Sequence, residues 1–345
     1  MLKIDFYESG KGETIVIGFP DGGIGIVDAH PSPKGLRPKI EDIVQGRSIH
    51  FLCLTHPHSD HGLDLPGAMT ASVQTKRFWH TVTDIQVLLY AVTEEQQFFP
   101  NRNTPLLTNL RTKWANFLID LYSMVDARTA IDPAFTCKLN AERKSEEIAG
   151  VKIHFFGPLE SSQNKFTLAY KALIKSTHRV KPDENSLSAI LGIEYGGRMI
   201  ILGADALAEN WKEVVERCRK EGLPKATILK VPHHGASNAL GHPAAKNYTD
   251  LCLPGGGTIG VLFGGDSNHP NEKVFDKLKS KMTLQCLANG RKPPGQANSN
   301  PLNLKIPGAY ALASAPACNP HLSFQIDATG QIQQVAGNTC AFCQA

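Results

Sequence analysis

Thr55-His56-Pro57-His58-Ser59-Asp60-His61 constrains this chain more than any other stretch. It places three imidazoles and a carboxylate within six residues, directly after the apolar run Ile49-His50-Phe51-Leu52-Cys53-Leu54. A short apolar run bounded by a polar turn reads as a buried strand. A strand that ends in His-x-His-x-Asp-His projects all four groups from one strand-to-loop corner. Neutral imidazole nitrogen and carboxylate oxygen together suit Zn2+, or Mn2+ and Fe2+ where oxygen ligands weigh more. A polar loop that is merely rich in histidine would not need this spacing, so the stretch reads as metal-ligating.

Around it the chain alternates strands and helices. Residues 2–8, 14–18 and 23–28 read as three short strands broken by Gly10-Lys11-Gly12 and Asp21-Gly22-Gly23. A short helix is expected at 41–45. Residues 80–147 form a different texture: Leu106, Leu107, Leu110, Trp114, Phe117, Leu118 and Leu121 recur at three- and four-residue steps. That is one apolar face of a long helix. The region reads as a helical insertion, either a lid that selects substrate or plain packing. Val151 to Pro158 reads as a strand, with His154 alternating out of the apolar set towards solvent. Strands 187–194 and 199–203 follow, joined at Gly196-Gly197 in a hairpin. Helix 209–220, with Trp211, Val214, Val215 and Cys218 on one face, leads to strand 226–231, then to strand 259–263 and helix 271–280. Residues 288–320, rich in Pro, Gly, Asn and Ala, read as an irregular arm, and 321–335 as a hairpin around Asp327-Ala328-Thr329-Gly330. No repeat or linker divides the 345 residues, so one domain is expected over 1–345, its irregular C-terminal arm running over 288–345.

Three of the later strand ends also carry ligand-type side chains. Strand 199–203 runs into Gly203-Ala204-Asp205, strand 226–231 into Pro232-His233-His234-Gly235, and strand 259–263 into Ser267-Asn268-His269-Pro270. A carboxylate just beyond a buried strand, after a glycine, is well placed to bridge two metals.

Taken with Asp28, with His-x-His-x-Asp-His and with Asn185-Ser186-Leu187-Ser188 before the hairpin, this set resembles the metallo-β-lactamase superfamily. Within it the set looks like the branch typified by the C-terminal domain of ComEC-type DNA-uptake channels. The resemblance covers roughly residues 1–285 apart from the insertion. It implies an α/β fold, the four-layer αββα metallo-β-lactamase sandwich, with a one- or two-metal centre at one edge of its two sheets. The chain departs from the branch in three places. Gly-Ala-Asp stands for Thr-Gly-Asp, Ala236 precedes Ser237, and no glycine pair follows the first motif.

Carried over residue by residue, the resemblance implies that His56 and His58 bind a first metal and that Asp60 and His61 bind a second, with Asp60 also catalytic in orienting the attacking hydroxide. Asp205 would bridge them and His234 would complete the second. His233 would contact the scissile phosphate or donate a proton, although which histidine of the pair binds metal stays open. Asp28 is either a turn residue or the carboxylate that supports a ligand histidine. Asn185 stands where other branches have a further histidine, which implies a weaker first site. His269 lines the pocket or caps the next helix. Two Zn2+ ions are expected, with Mn2+ or Fe2+ as alternatives.

The implied chemistry is phosphodiester hydrolysis of DNA, RNA or a nucleotide, by a water that two divalent ions deprotonate near neutral pH, a phosphodiesterase or nuclease activity. The same nucleophile would serve hydrolysis of a small ester, thioester or lactam. A metal-stabilised binding module without turnover is the third reading. A redox diiron role is disfavoured, since that branch has a glutamate where His58 stands.

Net charge, +4 from 36 basic and 32 acidic residues, is too small to argue for a nucleic-acid partner. Lys171, Lys175, His178, Arg179 and Lys181 make a local basic strip, either solvated or attractive to phosphate. No run reaches the roughly 18 apolar residues that span a bilayer, and no leader pattern opens the chain, so a stand-alone cytoplasmic protein is expected. Of eight cysteines, Cys340 and Cys343 form a lone C-x-x-C, read as part of a frayed tail.

Overall fold

The structure is a computed structural model, and it describes residues 1–9, 12–31, 37–82, 105–174, 183–242, 244–264, 270, 272–287 and 321–337. In chain order its strands are β1 (Leu2–Ser9), β2 (Gly12–Gly18), β3 (Ile24–Val27), β4 (Ser48–Leu54), β5 (Gln74–Thr75), β6 (Phe78–His80), β7 (Thr136–Lys138) and β8 (Glu146–Ile148). They continue with β9 (Val151–Gly157), β10 (Ile190–Tyr195), β11 (Arg198–Leu202), β12 (Ala226–Lys230), β13 (Ile259–Phe263), β14 (Thr283–Leu287), β15 (His321–Ile326) and β16 (Ile332–Ala336).

They form two sheets. The first runs β16-β15-β1-β2-β3-β4-β6-β7 with β5 beside β4, and the second runs β14-β13-β12-β11-β10-β9-β8. Side-chain parity explains how they stack. Along β2, Ile15 and Ile17 enter a core shared with Ile153, Leu191, Ile200 and Ile228 of the second sheet. Val16, between them, faces the other way, into a cluster with Leu118, Leu121, Tyr122 and Val125 of helix Pro105–Ile131. On the far side of the second sheet, Ile201, Leu229 and Leu262 pack under Trp211 and Val214 of helix Ala208–Lys220 and under Val274 and Leu278 of helix Glu272–Lys279. Helix, sheet, sheet, helix is the αββα order. Strand β4 is buried on both faces, which is why its sequence is apolar without alternation.

Phe117, Leu118 and Leu121 of the expected apolar stripe are buried. Leu106, Leu107, Leu110 and Trp114 lie outside the described side chains, as do the first residues of the insertion. His154 is not a solvent residue. It is 3% exposed, and its Nε2 lies 2.8 Å from Glu194 Oε2. Helix Ala208–Lys220 covers that face, and Arg217 reaches over β9 to donate to Phe155 O at 2.8 Å. A polar residue at a helix-facing strand position looks like an outward one in the sequence, because only the covering helix tells them apart. The irregular arm 288–320, the cysteines at 340 and 343 and the basic strip beyond Lys171 lie outside the described residues. No helix among the described residues is long and apolar enough to cross a membrane.

Candidate metal centre

The carboxyl ends of β3, β4, β11 and β12 and the amino end of β2 meet at one edge of the sandwich. The approach is close. A Cβ on Gly12 would stand 2.2 Å from the Asp60 carbonyl and 2.4 Å from His30 Cβ. Only glycine lets β2 run this near the histidine turn. Thr55 joins the sheets: its carbonyl accepts from Ala189 N at 2.9 Å and from Thr81 Oγ1 at 3.1 Å.

Asp28 organises the turn. It is fully buried with φ +55°, a left-handed backbone that Asp tolerates better than most residues. Its Oδ1 accepts from Thr55 N at 2.9 Å, and its Oδ2 accepts from Thr55 Oγ1 at 2.7 Å and His61 Nδ1 at 2.6 Å. With its hydroxyl proton given to Asp28, Thr55 Oγ1 accepts from His56 Nδ1 at 3.1 Å. One carboxylate therefore puts the ring proton of both His56 and His61 on Nδ1 and turns each Nε2 lone pair away from itself. His58 is held from the opposite side, its Nε2 lying 3.4 Å from the Glu184 carboxylate. That leaves His58 Nδ1 facing His56 Nε2 at 3.0 Å. Two ring lone pairs pointed at each other repel unless a proton or a cation lies between them.

The second convergence is tighter. One ligand atom each from Glu13, His61, Asp205 and His234 lies within 4.8 Å of all the others, and all four residues are buried. His61 Nε2 is 3.5 Å from Asp205 Oδ2, and His234 Nε2 is 3.8 Å from the same oxygen. His233 Nε2 is 4.0 Å from it and 3.4 Å from Asn185 Nδ2. Ala204, His233 and His234 all have positive φ, 43°, 47° and 52°. Strain of about 1–3 kcal/mol at each such position persists where surrounding contacts over-determine it. Here His233 N donates to Ala204 O at 3.0 Å, which locks the two strained turns together. Gly203 makes room below: a Cβ there would stand 2.4 Å from the Trp211 ring.

The electrostatics follow the geometry. Burial would lower His61, but Asp28 and Asp205 on its two sides raise it well above the usual histidine range. Burial pushes Asp205 up, yet His234 and His61 beside it, with Lys230, hold it well below the carboxylate range. His56 is driven well down by burial and by the neighbouring imidazoles. Burial raises Glu13 against the pull of Lys230.

These residues fit a divalent ion. Buried polar atoms are normally hydrogen-bonded, but His61 Nε2, Asp205 Oδ1, His234 Nδ1 and both Glu13 oxygens have no hydrogen-bond partner among the described residues. Bonds of about 2.1 Å put ligand atoms roughly 3–4 Å apart around one ion, so small side-chain rotations would close this set. His56 and His58 lie outside the 4.8 Å group but adjoin it, with the His56 and His61 ring centroids 4.2 Å apart. Asp60 is half-buried in the turn and also lies outside the group, its backbone packed on Gly12. His269 falls outside the described residues.

Glu13 and Glu184 carry no motif signal, and Lys230, although it stands in the Leu-Lys-Val-Pro-His-His-Gly stretch, is assigned no role there. Glu184 precedes Asn185 and reads as loop. Glu13 follows a Gly-Lys-Gly that reads as a turn, while β2 in fact begins at Gly12. Parity was the available clue: Glu13, Ile15 and Ile17 share a face, as do Lys230 and Ile228, so each charged residue points into the inter-sheet layer.

No protein-family model matches the chain, and no curated protein matches it. Among solved structures it is similar to Igni18, a metallo hydrolase from the archaeon Ignicoccus hospitalis, at 13% identity and TM-score 0.39, over 82% of this chain and 94% of that one. It is similar to Zn2+-bound PqqB from Methylobacterium extorquens at 11% identity and TM-score 0.40, over 83% of this chain and 98% of that one. A diphosphatase of the PhnP family matches at 12% identity and TM-score 0.36, over 82% of this chain and 94% of that one.

Proposed function

We propose that this protein is a metal-dependent hydrolase that cleaves phosphodiester bonds in DNA, RNA or a nucleotide. The observation that carries the proposal is the buried convergence of His61, Asp205 and His234, whose Nε2, Oδ1 and Nδ1 atoms make no hydrogen bond among the described residues. The sequence motifs that resemble the phosphodiesterase-type branch, His233-His234-Gly235 above all, supply the choice of bond.

His61, Asp205 and His234 would hold one divalent ion, with His56, His58 and Asp60 completing a pair of sites. An ion bound there makes a water acidic enough to attack near neutral pH and draws off charge that builds on a phosphoryl oxygen. The chain's own residues do the rest. Asp28, directly and through Thr55, keeps His61 and His56 in the tautomer whose Nε2 can ligate. Glu184 does the same for His58 from the other ring nitrogen. His233 is 17% exposed at the mouth, where it can contact a phosphoryl oxygen or give a proton to the leaving oxygen. Asn185 serves either form of His233: its Nδ2 donates to a neutral Nε2, and the amide turned over presents Oδ1 to a protonated one.

The test is hydrolysis of bis-p-nitrophenyl phosphate and single-stranded DNA beside a panel of esters, thioesters and lactams, with elemental analysis of the purified protein. Phosphodiester cleavage should be lost with EDTA and in His61→Ala and Asp60→Ala. Cleavage that survives in either variant would overturn the assignment. Ester turnover alone would move it to acyl hydrolysis, and bound metal with no turnover would leave a binding module.

A further inference from the structure

Glu13 and Lys230 are both fully buried in the layer between the sheets, at positions whose strand neighbours of the same parity are core isoleucines. They reach each other across the sandwich and form an ion pair directly beneath the candidate centre. The Lys230 ammonium donates to Ala204 O at 2.5 Å and stands 3.6 Å from Asp205 Oδ1. The Phe263 ring closes it off from the apolar side, with its centroid 5.9 Å away. Glu13 Oε1 is 3.9 Å from His234 Nδ1, and neither Glu13 oxygen is in hydrogen-bond geometry with any donor among the described residues.

A carboxylate kept at this depth needs a matching cation. Two carboxylates, Glu13 and Asp205, stand at one ammonium, and each offers an oxygen within 4.8 Å of ring nitrogens of His61 and His234. We propose that Glu13 is itself a metal ligand of this centre, and that Lys230 is a resident counter-cation holding Glu13 and Asp205 together before the divalent ion arrives. The proposal rests on the metal-centre reading above and adds to it a ligand outside the histidine motifs. Lys230 also fastens the strained turn at Ala204 to β2, so ligand placement and closure of the two sheets become one event.

The full-length chain would be stripped with EDTA and titrated with Zn2+, and separately with Mn2+, against a chromophoric chelator. Thermal unfolding would be followed with and without the ion. Glu13→Gln should weaken metal affinity at least tenfold and shrink the rise in Tm on metal addition. Lys230→Met should lower the Tm of the stripped protein more than that of the loaded protein, since the ion takes over its neutralising role. Unchanged affinity in Glu13→Gln overturns the ligand assignment. Equal falls in Lys230→Met with and without metal overturn the counter-cation assignment and leave an ordinary buried ion pair. If Lys230→Met does not fold, the paired variant Glu13→Gln/Lys230→Met decides. It should fold, because removing both partners avoids a lone buried charge, and failure where Glu13→Gln folds overturns the assignment. His61→Ala separates the two levels. Its loss of metal alongside an unaffected Glu13→Gln sinks only this inference, whereas no loss in either sinks the metal centre.

Discussion

Asp28 Oδ2 takes hydrogen bonds from a hydroxyl and an imidazole at once, at 2.7 and 2.6 Å. Asn in its place keeps the left-handed backbone and an acceptor for Thr55 N, but turns an NH2 group towards His61 Nδ1. Asp28→Asn should therefore fold normally yet bind metal about ten- to a hundredfold more weakly, read by chelator competition. A second residue-scale effect lies away from the centre. His80 is fully enclosed under helix Pro105–Ile131, and burial, with Lys138 nearby, lowers its pKa to about 4. The folded protein thus prefers neutral His80, while the unfolded chain protonates it near 6.5. This contribution is intact above pH 6.5 and is lost as pH falls towards 4, up to about 3 kcal/mol. Urea unfolding at pH 7.5 and pH 4.5 should show a smaller acid loss in His80→Gln than in the natural chain.

Among the elements, β2 carries the most consequence per residue. Gly12 abuts the Asp60 carbonyl, and the next residue aims its carboxylate inward. Gly12→Ala should cost about 1–3 kcal/mol by overpacking against backbone that cannot swing aside, and should lower metal content in elemental analysis as the histidine turn shifts. The same strand shows what the sequence could and could not reveal. The apolar run of β4, the hairpin of β10 and β11 and the amphipathic helix Ala208–Lys220 are local patterns; the run and the helix stand within a residue of their expected places, and β10 begins three residues later than expected because Leu187 closes a 3-10 turn. The histidine turn, Asp205 and the His233-His234 pair were named from residue type and spacing, and of these His61, Asp205 and His234 lie together. Glu13 and Glu184 were not, nor was the role of Lys230 within its motif, since each acts through a partner on a distant strand or loop. His154 failed for the same reason, its cover supplied by a helix far along the chain.

At the scale of the whole molecule, the candidate ligands come from both sheets, Glu13 and His61 from the first and Asp205 and His234 from the second. An ion bound to the folded form alone stabilises it by about 2.7 kcal/mol at a hundred times its Kd. Stripping the protein with EDTA should lower its unfolding midpoint, and the midpoint should climb with added Zn2+ or Mn2+. A midpoint indifferent to both would mean that the two sheets hold together without any such centre. The span of those ligands, from residue 13 to residue 234, also bears on synthesis. A nascent chain halted before the second sheet emerges owns half a claw and grips nothing. The ligand set is therefore complete only once residue 234, with strand β12 just ahead of it, has left the ribosome.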